Sequence, residues 1–257
     1  MTLRHIPAAH ATMLACALLV GSAHAQDGSK PRLKALDDAE LSAVYGQALL
    51  DLTNTTQGGY DFSRLTLNAD ITMSSTLSGL VLGRHADGTT DIDISTLNFG
   101  RSDLDDAHRT VAIANPYFEW VYSGSAAAGD RQVVGMRVGF GGIAGDVGLL
   151  MNTVSGSLSI NTGTDADPQY ATVSGPRATS FGGCATCTMP LSQVGGVTAT
   201  GSQDFFISLL KTALTYPAGP AGTPAQSQAG FWLNWTNQLK ALNTTGFVPP
   251  NVPKTGP

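Results

Sequence analysis

The chain has 257 residues, with 14 basic against 19 acidic side chains and a formal net charge of −5. That balance excludes nucleic acid, which rewards clustered Lys and Arg, and equally excludes docking on anionic lipid. Charged residues make up only 13% of the chain while glycine numbers 30, a composition that suits an exported β-rich protein better than a cytosolic enzyme.

Arg4 opens the chain with positive charge, residues 13–20 form an apolar run, and Ala23-His24-Ala25 has a small-x-small pattern. These are the three parts of a secretory signal peptide over residues 1–25, with cleavage expected between Ala25 and Gln26. The run is too short for a bilayer span, which needs ~20 apolar residues. Cys16 is read as part of this cleaved segment, because apolar residues continue past it and Met13 sits three positions before it. Cleavage removes Arg4 and no acid, so the mature chain is one unit more negative than −5. Its expected location is the periplasm, outer membrane or cell surface of a Gram-negative bacterium.

Residues 26–60 read as a polar leader and a short helix. Asp37 and Glu40 form a capping-box-like pair, and Gly46 suits the helix end. Residues 53–59 read as a loop. Residues 61–176 read as an antiparallel β core. Within it, Leu65, Leu67, Ala69, Ile71 and Met73 alternate with polar residues, which predicts one half-buried strand over 65–74. Asp87-Gly88 marks a turn. Ile92, Ile94, Leu97 and Phe99 slip in phase near Ser95-Thr96, where a bulge is expected. Phe118, Trp120 and Tyr122 share one face, and Val134, Met136, Val138 and Phe140 share another, so these strands predict a hairpin. Residues 141–145 read as a second turn before Val147, Leu149 and Met151. The side then changes to Val154, Leu158 and Ile160.

Residues 177–257 read as a Cys-x-x-Cys loop, helical segments and a Pro-rich tail. Residues 204–216 suit either a helix or a buried strand. Residues 217–229 read as a linker. Trp232, Trp235, Leu239 and Leu242 fall at helical spacing over 231–242. The tail from Pro249 is expected to fray. The fold class is therefore mainly β, an antiparallel sheet or sandwich with a short N-terminal helix and one or two C-terminal helices.

Cys184 and Cys187 are the only cysteines left after processing. In an oxidising compartment they are expected to form a disulfide. A redox pair would need a helix start within a βαβ pattern, and zinc would need ligands nearer than His85 and His108. Gly139-Phe140-Gly141-Gly142-Ile143-Ala144 matches a loose dinucleotide fingerprint, but no helix is expected after it. Asp103, Asp105, Asp106 and the pair Asp165, Asp167 are loop acids without EF-hand spacing. His108 beside Asp105 and Asp106 lacks a nucleophile, and no G-x-S-x-G elbow occurs. Asn54, Asn234 and Asn243 open Asn-x-Thr triplets, which matter only in a glycosylating host. No catalytic residue, cofactor or metal is called for.

The string Ala35-Leu36-Asp37-Asp38-Ala39-Glu40-Leu41-Ser42-Ala43-Val44-Tyr45-Gly46-Gln47, soon after the signal peptide, resembles the start of FilA-type pilus-system proteins, exported proteobacterial proteins that carry a domain of unknown function. Residues 113–120, 134–141 and 231–236 are similar to the same group. The resemblance implies a surface or pilus-associated role and brings no catalytic residues. The expected function is thus a non-catalytic structural component with protein partners at the cell envelope or pilus. The alternatives are an outer-membrane β-barrel and a periplasmic binding module for an apolar ligand.

Overall fold

Alternating, hydroxyl-rich and charge-poor segments favour extended chain, because β-branched and aromatic side chains pack well on a pleated surface. The computed structural model describes residues 49–252 except 126, 185, 186, 220, 221 and 223, and at 183, 184 and 187 the backbone alone. The expected signal peptide, the expected Ala25–Gln26 cleavage site, the expected leader and the predicted N-terminal helix lie outside the described residues. The chain runs through β1 (Leu50–Gln57), β2 (Tyr60–Leu67), β3 (Asp70–Met73), β4 (Ser75–Arg84), β5 (Thr90–Phe99), β6 (Val111–Ser123), β7 (Gln132–Asn161) and β8 (Tyr170–Ala178). It continues through β9 (Ser180–Cys184), β10 (Cys187–Pro190), β11 (Gly196–Ser202), β12 (Phe206–Leu210), β13 (Leu214–Thr215), β14 (Gln226–Ser227), β15 (Gly230–Trp235) and β16 (Leu239–Ala241). All but β13 and β14 join one sheet, and those two pair with each other.

The long strand β7 organises this sheet. Its first half pairs with β6 on one side and with β12 and β11 on the other. Its second half pairs antiparallel with β5 and β8, and parallel with β15 and β16. Because β12 also pairs with β15, the hydrogen-bonded path leaves β7, crosses two strands and returns to β7. The main core lies here: Val147, Leu149, Met151, Val154, Leu158 and Ile160 of β7 pack with Ile92, Val197, Leu233 and Trp235. A smaller core forms from Phe62, Val121, Phe206, Leu210, Leu214 and Tyr216.

The hairpin of β6 and β7 and the turn around Asp87-Gly88 are present. Where β5 meets β7, Ile94 and Thr96 stand opposite Met151 and Leu150, so Ser95 is the extra residue of a bulge. Asn152 is extra on the facing strand, which turns the buried set of β7 from odd positions to even ones after Met151.

Several expectations are corrected. Residues 53–57 belong to β1, and only Gly58-Gly59, both at positive φ, make the turn. The strand over 65–74 is broken at Asn68-Ala69, because β2 and β3 pair with separate stretches of β6. Ile71 lies on the short β3, which pairs with β6 alone, and is 38% exposed, not buried. Residues 141–145 make no turn; β7 runs straight through them. No C-terminal helix forms: of the two forms open to residues 204–216 the strand is present, as β12 and β13, and residues 231–242, expected as a helix, hold β15 and β16. The helical pieces Asp106–His108 and Leu191–Gln193 are single 3-10 turns. The tail is docked, not frayed, at residues 249–252: Asn98 Nδ2 donates to Pro249 O at 2.9 Å, and Asn251 Nδ2 donates to Ser75 O and Phe99 O at 3.1 and 2.9 Å. Among the described residues no helix is long and apolar enough to cross a membrane.

Candidate functional site

The first half of β7 contains Gly135-Met136-Arg137-Val138-Gly139. Odd-numbered side chains of this segment point inward, so Arg137 is buried and Val138 is 49% exposed. Registration places Arg64 of β2, Glu119 of β6, Arg137 of β7, Ser208 of β12 and Trp232 of β15 directly opposite one another in one row. Direct partners share a face of a sheet. The row is therefore a polar line across the inner surface. The glycines make room for it: a Cβ at Gly139 would meet Phe205 O and the Tyr117 hydroxyl at 2.5 Å, and one at Gly135 would meet Leu210 Cδ2 at 2.2 Å.

Glu119, 2% exposed, takes one arginine on each oxygen. Arg64 Nε donates to Oε1 at 2.9 Å and Arg137 Nε donates to Oε2 at 2.5 Å. Two cations thus share one anion. The Arg137 guanidinium carbon stands 3.8 Å from the ring centre of Tyr216, 4.8 Å from Phe206 and 5.5 Å from Tyr117. Arg64 stands 4.2 Å from the Tyr117 ring. Such contacts favour a cation on an aromatic face. Arg137 Nη2 is buried with no hydrogen-bond partner among the described residues. Burial raises the Tyr216 phenol well above its ordinary value of 10.0, with Arg137 opposing, and raises Tyr117 in the same way against Arg137 and Arg64.

A cavity of about 340 Å³ opens beside this row, lined by Arg64, Arg137, Tyr117, Phe140, Phe206 and Asp204 among others. Its cover includes Pro217 and Ala225, from the segment that carries β13 and β14. Gln57 Nε2 ties that segment to β1 by donating to Tyr216 O at 3.3 Å. Asn115 also lines the cavity and holds a left-handed φ of 48°. Asp204 is turned toward the end of β15: its carboxylate accepts from Thr236 N at 2.8 Å, Asn237 N at 3.2 Å, Ser202 Oγ at 3.0 Å and the Thr236 hydroxyl.

None of the residues singled out in the sequence as site candidates forms this cluster, although Phe140 and Gly141 of the glycine-rich string line the cavity. That string lies inside β7, with strand on both sides. Cys184 and Cys187 are direct backbone partners across the β9–β10 hairpin, and their side chains lie outside the described residues. The loop acids are engaged locally: Asp103 by Arg101 at 2.6 Å, Asp105 by His108 at 2.6 Å, Asp106 by Arg109 at 3.1 Å and Asp165 by Lys240 at 2.8 Å. Asn234 is buried at 4% exposure, whereas Asn54 lies on the exposed β1.

The available signal for the arginine row was the glycine two residues to either side of Arg137. Comparison of the chain with protein-family models, with curated proteins and with solved structures finds no match.

Proposed function

We propose that the mature chain is an exported, non-catalytic structural component of the cell surface or of a pilus. It joins neighbouring envelope proteins through the outer face of the sheet formed by β1, β2, β6, β7 and β12. The observation that carries this reading is the apolar character of that face. Registration aligns Leu52, Leu65, Phe118 and Val138 in one row, whose continuation at Ile207 packs against the main core, and Trp120, Met136 and Leu209 in the next. Leu52, Val138 and Leu209 are 61%, 49% and 40% exposed. An exposed apolar patch on this scale marks an interaction surface. The export pattern of residues 1–25 and the resemblance of residues 35–47 to FilA-type proteins supply the compartment. There, Cys184 and Cys187, opposed across their hairpin, close a disulfide.

The test is a doubly substituted chain, Val138→Asp with Leu209→Asp, expressed in place of the wild type. Wild-type protein is expected to leave cells on shearing without detergent and to cross-link to envelope proteins. The variant is expected to melt at the wild-type temperature yet lose the cross-links. Retained cross-links overturn the assignment of the face. An outer-membrane barrel is the second reading, since the same face suits lipid; wild-type protein that leaves the membrane only in detergent favours it.

A further inference from the structure

We propose that β1 pairs edge to edge with β1 of a second copy of this chain, antiparallel and about a two-fold axis at Thr53. The surface is a sheet edge, so the proposal does not rest on the role assigned to the outer face.

The choice of edge is the first argument. Among the described residues, β1, β3, β4 and β10 of the main sheet each pair with one strand only. Natural edges are kept from pairing by shortness, kinks, proline, lysine or a covering segment. β3 and β10 have four residues each, and β10 ends in Pro190. β4 is interrupted by Gly79 and Gly83, at φ of 71° and 67°, and the docked tail meets its start at Ser75 and Thr76. β1 has none of these devices. Its eight residues pair with β2 without a register break and include no proline, lysine or glycine. Leu50 to Thr56 are all exposed, Leu52 by 61%.

Backbone phase is the second argument. Gln57 and Tyr60 flank the turn at Gly58-Gly59, and Asn68 N donates to Leu49 O at 2.8 Å. Antiparallel pairs that exchange hydrogen bonds alternate with pairs that do not. Odd-numbered residues of β1 therefore turn N–H and C=O toward β2. Leu50, Leu52, Asn54 and Thr56 turn theirs away, to an edge where no described strand lies. An extended strand is the partner that satisfies such a row. A second β1 fits it: with Thr53 facing Thr53, Leu50 meets Thr56 and Leu52 meets Asn54, so all four residues are used on both copies. The junction then holds about eight backbone hydrogen bonds, and the two-fold axis closes the pair.

Charge is the third argument. Asp51 is the one charged residue of β1. In this register it faces Thr55 of the second copy. The two Asp51 side chains then stand four positions apart along the strands, ~13 Å, beyond the ~8 Å screening length at physiological salt. A register centred on Asp51 would set the two acids directly opposite each other, which is unfavourable.

Sedimentation of the mature chain over a dilution series, with amide hydrogen exchange, tests the pairing. A monomer–dimer equilibrium is expected. Amides of Leu50, Leu52, Asn54 and Thr56 should gain protection as the dimer forms, whereas those of Asp51, Thr53 and Thr55, already bonded to β2, should change little. Asn54→Pro removes an outward N–H and none that serves β2, so it should abolish the dimer; its melting curve checks folding, and the Thr55 variants carry the test should it unfold. Thr55→Asp sets an acid opposite Asp51 at two symmetric places and should weaken the dimer about tenfold. Thr55→Lys, at the same exposed position, should hold it at least as tightly as the wild type. Val138→Asp with Leu209→Asp should leave the dimer unchanged, which separates this edge from the outer face. A chain that stays monomeric at every concentration, including one whose own residues 26–48 shield the edge, would overturn the proposal. So would a dimer that survives a folded Asn54→Pro, one that the outer-face variant dissolves, one whose even-numbered amides exchange as in the monomer, or equal weakening by Thr55→Asp and Thr55→Lys.

Discussion

The two halves of β7 bury opposite kinds of side chain. From Val147 to Met151 the inward odd positions are Val147, Leu149 and Met151, and the core they enter is apolar. From Gly135 to Gly139 the inward odd positions are two glycines and Arg137, while Met136 and Val138 face out. The strand does not reverse between them, and the same parity stays inside. What differs is the cover. The second half meets Ile92, Val197 and Leu233, whereas the first half meets Tyr216 and Phe206 around a buried ion pair. Alternation thus tells that a strand has two kinds of face. It does not tell which face the rest of the chain will cover.

The comparison breaks most visibly with a single carboxylate placed on either half. Leu149→Asp puts an unpaired charge at a position 2% exposed. It should cost several kcal/mol, enough to prevent folding of a domain of ordinary stability, and circular dichroism of the purified variant checks this. Next in size is Glu119→Gln, which leaves two arginines without their shared anion. A loss of about 3–5 kcal/mol is expected in denaturant unfolding. Glu119→Leu combined with Arg137→Met should lose less than Glu119→Gln, because no buried cation is then left without its partner; a larger loss would show that the charges themselves hold the first half together.

A smaller effect is expected at Tyr216. Its hydroxyl lies close to that of Ser208 without a well-aligned hydrogen bond to it. Tyr216→Phe should change stability at neutral pH by less than about 1 kcal/mol. The folded phenol titrates above its ordinary value of 10.0, chiefly through burial. Above that pH the unfolded chain has lost the proton and the folded one keeps it. Stability is therefore full below pH 10 and falls as pH rises through the folded value. Melting temperatures measured from pH 8 to 11 should drop less steeply in Tyr216→Phe than in the wild type. The smallest effect belongs to Val138→Asp, which should stay within about 0.5 kcal/mol of the wild type in the same melts, since the position keeps its water.

Much of the β order was legible where neighbours in sequence are neighbours in space. The phase slip at Ser95 and the change of side after Met151 are local irregularities of alternation, and both mark bulges. Residues 231–242 misled because Trp232, Leu233, Asn234 and Trp235 are all buried. A strand covered on both faces loses its period of two, and two tryptophans three apart then imitate a helix. Gly141 to Gly145 looked like a turn because the apolar set changes parity there, yet the backbone continues. The arginine row was not legible as a row, since the glycines flanking Arg137 mark that one residue alone. Arg64, Glu119 and Arg137 come from three strands, and only registration sets them side by side.

The pairing pattern of β7 also governs the order in which the chain can fold. The β1–β2 and β4–β5 hairpins join residues close in sequence and can close while later residues are still being made. Strand β6 can next add to β2 and β3, whereas the pairings of β5 and β6 with β7 wait for β7, and the parallel contact of Gly156 with Leu233 waits for β15. Distant pairings of this kind slow folding and prolong exposure of unpaired edges. A chain emerging from its N-terminus therefore holds a small sheet of β1, β2, β3 and β6 and a separate β4–β5 hairpin, both with unpaired edges, and its cooperative step comes only when β15 has closed back onto β7.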